Sequence, residues 1–149
     1  MYQVVLAVGE DEEIAESMVE KVASLPDASQ SVRAIVVHVF KDVEAPPSAA
    51  VWEPPRREDP DDEVEQEVHP ATLAQVVDGL ADHGVAYEIR VERGNPPDEI
   101  VRIANELDAE GIYIGGRKRS PAGKMLFGST TQSVMFATDQ PVTVFGAPQ

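Results

Sequence analysis

The chain has 149 residues, 27 of them acidic against 12 basic, and a formal net charge of −15. That length suits one domain with a proper core, while the absence of cysteine leaves out disulfides and thiolate metal sites. So acidic a surface makes nucleic acid a poor partner, and no apolar run reaches the length of a membrane span.

Residues 3–8 are mostly Val and Leu, as in a strand buried on both faces. From Glu10 to Ser24 the apolar Ile14, Met18 and Val22, with Leu25 beyond, recur at helical spacing, and Pro26-Asp27 stops the run. Val32–Phe40 reads as a second buried strand. Residues 41–68 carry prolines at 46, 47, 54, 55 and 60, many acids and Trp52, which predicts a long acidic, proline-rich loop. Trp52 is read first as a subunit contact, ahead of a lid over a site or a place in solvent. A helix follows, with Pro70 near its first turn, Leu73, Val76, Val77 and Leu80 on one face, and Gly84 as C-cap. Val85, Tyr87, Ile89 and Val91 alternate with Ala86, Glu88 and Arg90, predicting a third strand whose charged face is the wetter one. Pro96 to Leu107 is a third helix with Ile100, Ile103, Ala104 and Leu107 inward. Ile112–Ile114 is strand four, Ser129–Ala137 helix four and Val142–Phe145 strand five. Strands alternating with helices and no internal repeat argue for an α/β domain with a parallel sheet and helices on both faces.

Chemistry concentrates between Gly115 and Thr130, GGRKRSPAGKMLFGST, which joins strand four to helix four. Four of the twelve basic residues, Arg117, Lys118, Arg119 and Lys124, sit there. Glycines let backbone amides approach a ligand, and a helix N-terminus adds partial positive charge, so these are the parts of a phosphate site. A Walker A loop does not fit, because position 118 is Lys and Lys124 is followed by Met125. A G-x-G-x-x-G spacing is absent. Most of G-x2-G-x9-G-[ST] fits: Gly115, Gly128 and Ser129 fall on it, with Lys118 in place of its second glycine.

That pattern resembles the nucleotide signature of the universal stress protein family, and the likeness runs along nearly the whole chain. Val4–Val8 resembles the family's first strand and Val37-His38-Val39 the end of its second. Gly94-Asn95-Pro96-Pro97-Asp98-Glu99-Ile100 resembles its G-x-P-x-x-x-I helix entry, and Gln140–Val144 its last strand. The resemblance implies a doubly wound five-stranded sheet of order 3-2-1-4-5. Its single reversal lies between strands one and four, where such sheets bind ligands beyond the strands' carboxyl ends. It also implies a homodimer through the last strand, an edge that is short, apolar and uncharged, and an unidentified protein partner.

The expected ligand is ATP or a related adenine nucleotide (ADP or AMP), with Mg2+ as a companion ion. Its adenine is expected near Ala7, Val8, Gly9 and Val39. Its phosphates are expected on Gly115, Arg117, Lys118, Arg119, Gly128, Ser129 and Thr130. Two positions depart from the family: Lys118, and Gly9 where nucleotide-binding members carry an Asp that contacts the nucleoside. Glu10 and Asp11 are the neighbouring carboxylates. Each motif residue also has a plainer reading: Gly115 as a tight turn, Ser129 as an ordinary cap, Val39 as a buried strand valine, and the basic residues as a solvated loop. His38 reads as a structural strand residue and His69 and His83 as surface ones. No histidine spacing suits a metal and no G-x-S-x-G is present. With no general base in view, hydrolysis is expected to be slow at most. The alternative function is a dimeric interaction module that binds no nucleotide, or only an inorganic anion. Met1-Tyr2-Gln3 is not a basic lead into a long apolar stretch, so no signal peptide is expected and the protein is placed in the cytoplasm. A surface this acidic stays hydrated and has its repulsion screened in strong salt, which fits a halophilic source.

Overall fold

Five strands form one parallel sheet in the order β3-β2-β1-β4-β5, in a computed structural model that describes residues 1–41, 71–116 and 127–146. The strands are β1 (Tyr2–Ala7), β2 (Val32–Lys41), β3 (Ala86–Gly94), β4 (Gly111–Gly115) and β5 (Val142–Phe145). The helices are α1 (Glu12–Ala23), α2 (Ala28–Ser31), α3 (Ala71–Asp82), α4 (Pro96–Glu106) and α5 (Ser129–Ala137). Trp52 and the rest of the proline-rich stretch after Lys41, His69, Pro70, and the basic loop residues Arg117, Lys118, Arg119 and Lys124 lie outside the described residues.

The apolar runs become the central strands because both of their faces are covered. Val4, Leu6, Val36 and Tyr113 pack with Met18, Val22, Val76 and Leu80 of α1 and α3. Val5, Ile35, Val37, Ile112 and Ile114 pack with Ile100, Ile103 and Val134 of α4 and α5. In-register pairs such as Val5 with Ile35 and Ile112 tie β1 to both neighbours. Each Val or Leu so buried contributes about 1.5–3 kcal/mol, which makes β1 the anchor of the sheet.

Local chemistry sets the ends. Asp11 caps α1, its carboxylate accepting from the Glu13 and Ile14 amides at 3.0 and 3.1 Å. Gly84, at φ +70°, follows α3, and the Val85 amide returns to the Leu80 carbonyl, as a glycine-terminated helix requires. The stop at Pro26-Asp27 holds, but the chain at once makes the short α2, which was not expected.

The third strand differs from expectation in its exposure. Tyr87, Ile89 and Val91 are 39, 45 and 38% exposed, while Glu88, Arg90 and Glu92 are half-buried. The charged face is the better covered one because it is neutralised: Arg33 pairs with Glu88 at 3.2 Å, Arg90 with Glu106 at 3.6 Å, and Arg102 with Glu92 at 3.6 Å. Val77, expected inward on α3, is only partly buried, and Thr72 is buried in that helix instead.

Candidate functional site

A cavity of about 300 Å3 opens beyond the carboxyl ends of β1 and β4, where the strand order reverses. Its size is at the lower end for small-molecule sites. Ala7, Val8 and Gly9 form one wall with Glu10 and Asp11. Val37, Val39, Pro96, Ile100 and Ile114 supply apolar surface. Gly115, Gly116, Thr130 and Thr131 form the opposite wall. The structure thus brings together Ala7, Val8, Gly9, Val39, Gly115 and Thr130 of the expected residues. Ser129 and Thr130 also line a second groove of about 470 Å3, which shares Pro96 and Thr130 with the first.

The β1 wall is tightly fastened. The Val8 amide donates to the Val37 carbonyl at 2.9 Å. The Val8 carbonyl accepts from Nδ1 of His38 at 3.0 Å, and the Gly9 carbonyl accepts from the hydroxyl of Thr72. Asp11 spends its carboxylate on the α1 amides. Its Oδ1 takes both bonds, and Glu10 is the neighbouring exposed carboxylate. A Cβ built on Gly9 meets nothing within 4 Å, so the position is open rather than crowded.

The opposite wall is built differently. Gly115 ends β4 without the positive φ of a tight turn. Its missing Cβ instead makes room for Ile14, whose side chain would lie 3.0 Å away. The Gly116 amide donates to the Phe145 carbonyl at 2.7 Å. Thr131 is buried, and its hydroxyl donates to the Gly115 carbonyl at 2.8 Å, fixing α5 against the strand end. The N-cap of α5 is Gly128, at φ −72° and ψ 168°, extended backbone that any residue adopts. Ser129 is therefore the first helical residue rather than the cap, and Gly128 makes no side-chain cap bond to this helix.

Glu10, Asp11 and His38 are the ionisable residues among the described lining. No three His, Cys, Asp or Glu side chains among the described residues gather to hold a metal ion. The shifted groups lie elsewhere. Burial pushes the Tyr113 phenol up, with Tyr2 adding to it, and the hydrogen bond that Arg102 donates to the Glu99 carboxylate raises its guanidinium. Thr72, Thr131 and the ring contact of His38 escaped the sequence reading. The one available signal was a threonine beside Leu73 in an otherwise apolar helix stripe.

The family model for the universal stress protein family matches residues 1–146. The chain belongs to that family. A universal stress protein of Mycolicibacterium smegmatis is 39% identical over 64 residues, a stretch covering 42% of this chain and about half (49%) of that protein. The structure of a universal stress protein from Archaeoglobus fulgidus superposes with a TM-score of 0.68 at 30% identity, covering 97% of this chain and 98% of that one. Another from Archaeoglobus fulgidus, in complex with dAMP, gives 0.64 at 25% identity and 97% of each chain. The sheet order and its single reversal are those of a universal stress protein. Among the described residues, no helix is long and apolar enough to cross a membrane.

Proposed function

We propose that this universal stress protein is a regulatory module that binds an adenine nucleotide in the cavity between β1 and β4. The base lies near Val8 and Val39, and the phosphates lie over Gly115, Gly128, Ser129 and Thr130, with Arg117, Lys118 and Arg119 supplying charge. The observation that carries the reading is the N-terminus of α5. It borders the cavity at the sheet's reversal, and its glycine cap leaves the first-turn amides to an anion. The dAMP complex of the Archaeoglobus fulgidus relative supports an adenine nucleotide in this fold. ATP, ADP or AMP would each fit that chemistry, and Mg2+ would arrive on the phosphates rather than in a protein cage. Occupancy would alter partner choice in the cytoplasm. The protein works as a homodimer through β5, and Phe136 of α5 is 86% exposed.

Calorimetry with ATP, ADP and AMP, in molar KCl with Mg2+, tests the reading. One adenine nucleotide per chain is expected, weakened about three- to tenfold in Ser129→Ala, in a protein of dimer mass by light scattering. A folded dimer that binds none of the three would defeat it. That result would favour the second reading, an interaction module without nucleotide, for which Gly9 is the supporting observation: the wall offers no carboxylate at that position.

A further inference from the structure

β3 forms one edge of the sheet, and no strand among the described residues pairs with its outer side. It runs nine residues, Ala86–Gly94, in unbroken register with Arg33–Lys41, and it holds no proline, lysine or bulge. Those are devices by which sheet edges are ordinarily kept from pairing. The opposite edge, β5, is only four residues long. Tyr87 and Ile89 lie in register with Ala34 and Val36, which pack with α1 and α3. The exposed row of Tyr87, Ile89 and Val91 is therefore on that side of the sheet. Glu88, Arg90 and Glu92 form the other row, on the side of α4, where they meet Arg102 and Glu106.

We propose that β3 is a self-association edge, which pairs antiparallel with β3 of a second copy about a two-fold axis at Ile89. Such an axis, perpendicular to the sheet, keeps each face of the strand on its own side. Tyr87 then faces Val91 twice, Ile89 faces Ile89, Glu88 faces Arg90 twice, and Glu92 meets only Ala86. Aromatic with β-branched and acid with base are the favourable pairs across antiparallel strands. Neighbouring registers lose them. An axis at Arg90 sets Arg90 on Arg90 and Glu88 on Glu92, and one at Val91 sets Ile89 against Arg93. The charged pair has bonding capacity to spare. Arg33 engages only Oε2 of Glu88, and Glu92 and Glu106 engage Nε and Nη2 of Arg90, at 3.2 to 3.6 Å. Oε1 of Glu88 and Nη1 of Arg90 are left for the second copy. The pairing does not depend on nucleotide. Joined to pairing through β5, it gives each copy two edges to share, so assembly continues past the dimer. Two chains of charge −15 repel one another, and that repulsion is screened beyond about 3 Å in molar salt.

Sedimentation in molar KCl tests the proposal, with the mass of each variant set against that of wild type. Glu88→Arg and Arg90→Glu each place like charges face to face at both crossings. Each alone is expected to need at least about tenfold more protein to reach the wild-type mass. Mixed in equal amounts, the two variants set opposite charges face to face again, and association is expected to return. A merely structural loss would not recover on mixing. Ile89→Cys gives a second measure that leaves the ion pairs intact, in a chain with no other cysteine. Directly opposed Cα atoms stand about 4.5–5.5 Å apart, which suits a disulfide. This variant is expected to cross-link under mild oxidation. Tyr87→Cys, about 13 Å along the strand from its own copy, is not. A wild-type mass no greater than that of either variant, no recovery on mixing, or cross-linking of Tyr87→Cys as readily as Ile89→Cys would each overturn the proposal. Protection of the β3 amides from exchange at concentrations where the mass has not risen would overturn it too, because the edge would then be covered within one chain.

Discussion

Two of the three helices that start at the cavity, α1 and α5, begin in opposite ways. α1 opens on Asp11, whose own carboxylate takes the amides of Glu13 and Ile14. α5 opens on Gly128, which has no side chain to offer. Both N-termini carry the same partial positive charge, so the backbone alone does not say where an anion would sit. The caps do. An aspartate satisfies the first-turn amides and repels a second negative charge, whereas a glycine leaves those amides for something else. One wall is closed by its own cap, and the proposed reading sets the phosphates on the other.

That contrast can be broken most sharply by giving α5 the cap that α1 has. Gly128 sits in extended backbone open to any residue, and Asp is among the best N-caps. Gly128→Asp is expected to raise stability by about 0.3 kcal/mol in denaturant titrations. It should also weaken nucleotide binding at least about a hundredfold by calorimetry, through the blocked amides and the added repulsion. A variant that is both more stable and unable to bind would separate cap chemistry from folding. Unchanged binding would mean the phosphates sit elsewhere.

A smaller effect is expected on the closed wall. Gly9→Asp places a carboxylate where the family's nucleotide-binding members carry one, and the space is open to a side chain. The midpoint of thermal unfolding should hardly move, while adenine nucleotide binding tightens by about tenfold, the worth of one hydrogen bond to a charged group. Loss of binding would assign Gly9 to making room for the ligand instead. The smallest change is Asp11→Ala, which removes the α1 cap. It should cost about 1 kcal/mol of stability and leave nucleotide affinity within about twofold. A large fall in affinity would show that Asp11 serves the ligand as well as the helix.

Much of the scaffold was legible because hydrophobic period carries it. The unbroken Val and Leu runs gave the central strands, and Ile100-Ile103-Ala104 gave the buried face of α4. α2 was not legible, since four residues are too few to display a helical period. The exposure of β3 was not legible either. Burial of Glu88 and Arg90 depends on Arg33 and Glu106, which arrive from other elements. The site divides in the same manner. Gly115, Gly128 and Ser129 are a local motif and could be read directly. Thr72 with Gly9, and His38 with Val8, are 63 and 30 residues apart, and only the folded chain introduces them. Of the readings of Gly115, the tight turn is not seen, and the space its missing Cβ leaves for Ile14 was not legible in the local sequence.

The hydrogen bonds from Val8 to Val37 and from Gly116 to Phe145 extend the ladders of the sheet one residue past the strand ends. The cavity therefore stands on backbone tied into the central ladders, and amides held in this way are expected to exchange with the core strands. A molecule seated there draws its binding energy against the full unfolding equilibrium rather than a local fluctuation. Occupancy and the lifetime of the whole fold are then linked by mass action. In a cell the loaded and empty chains would differ in how long each resists proteolysis, a readout that needs no change of shape.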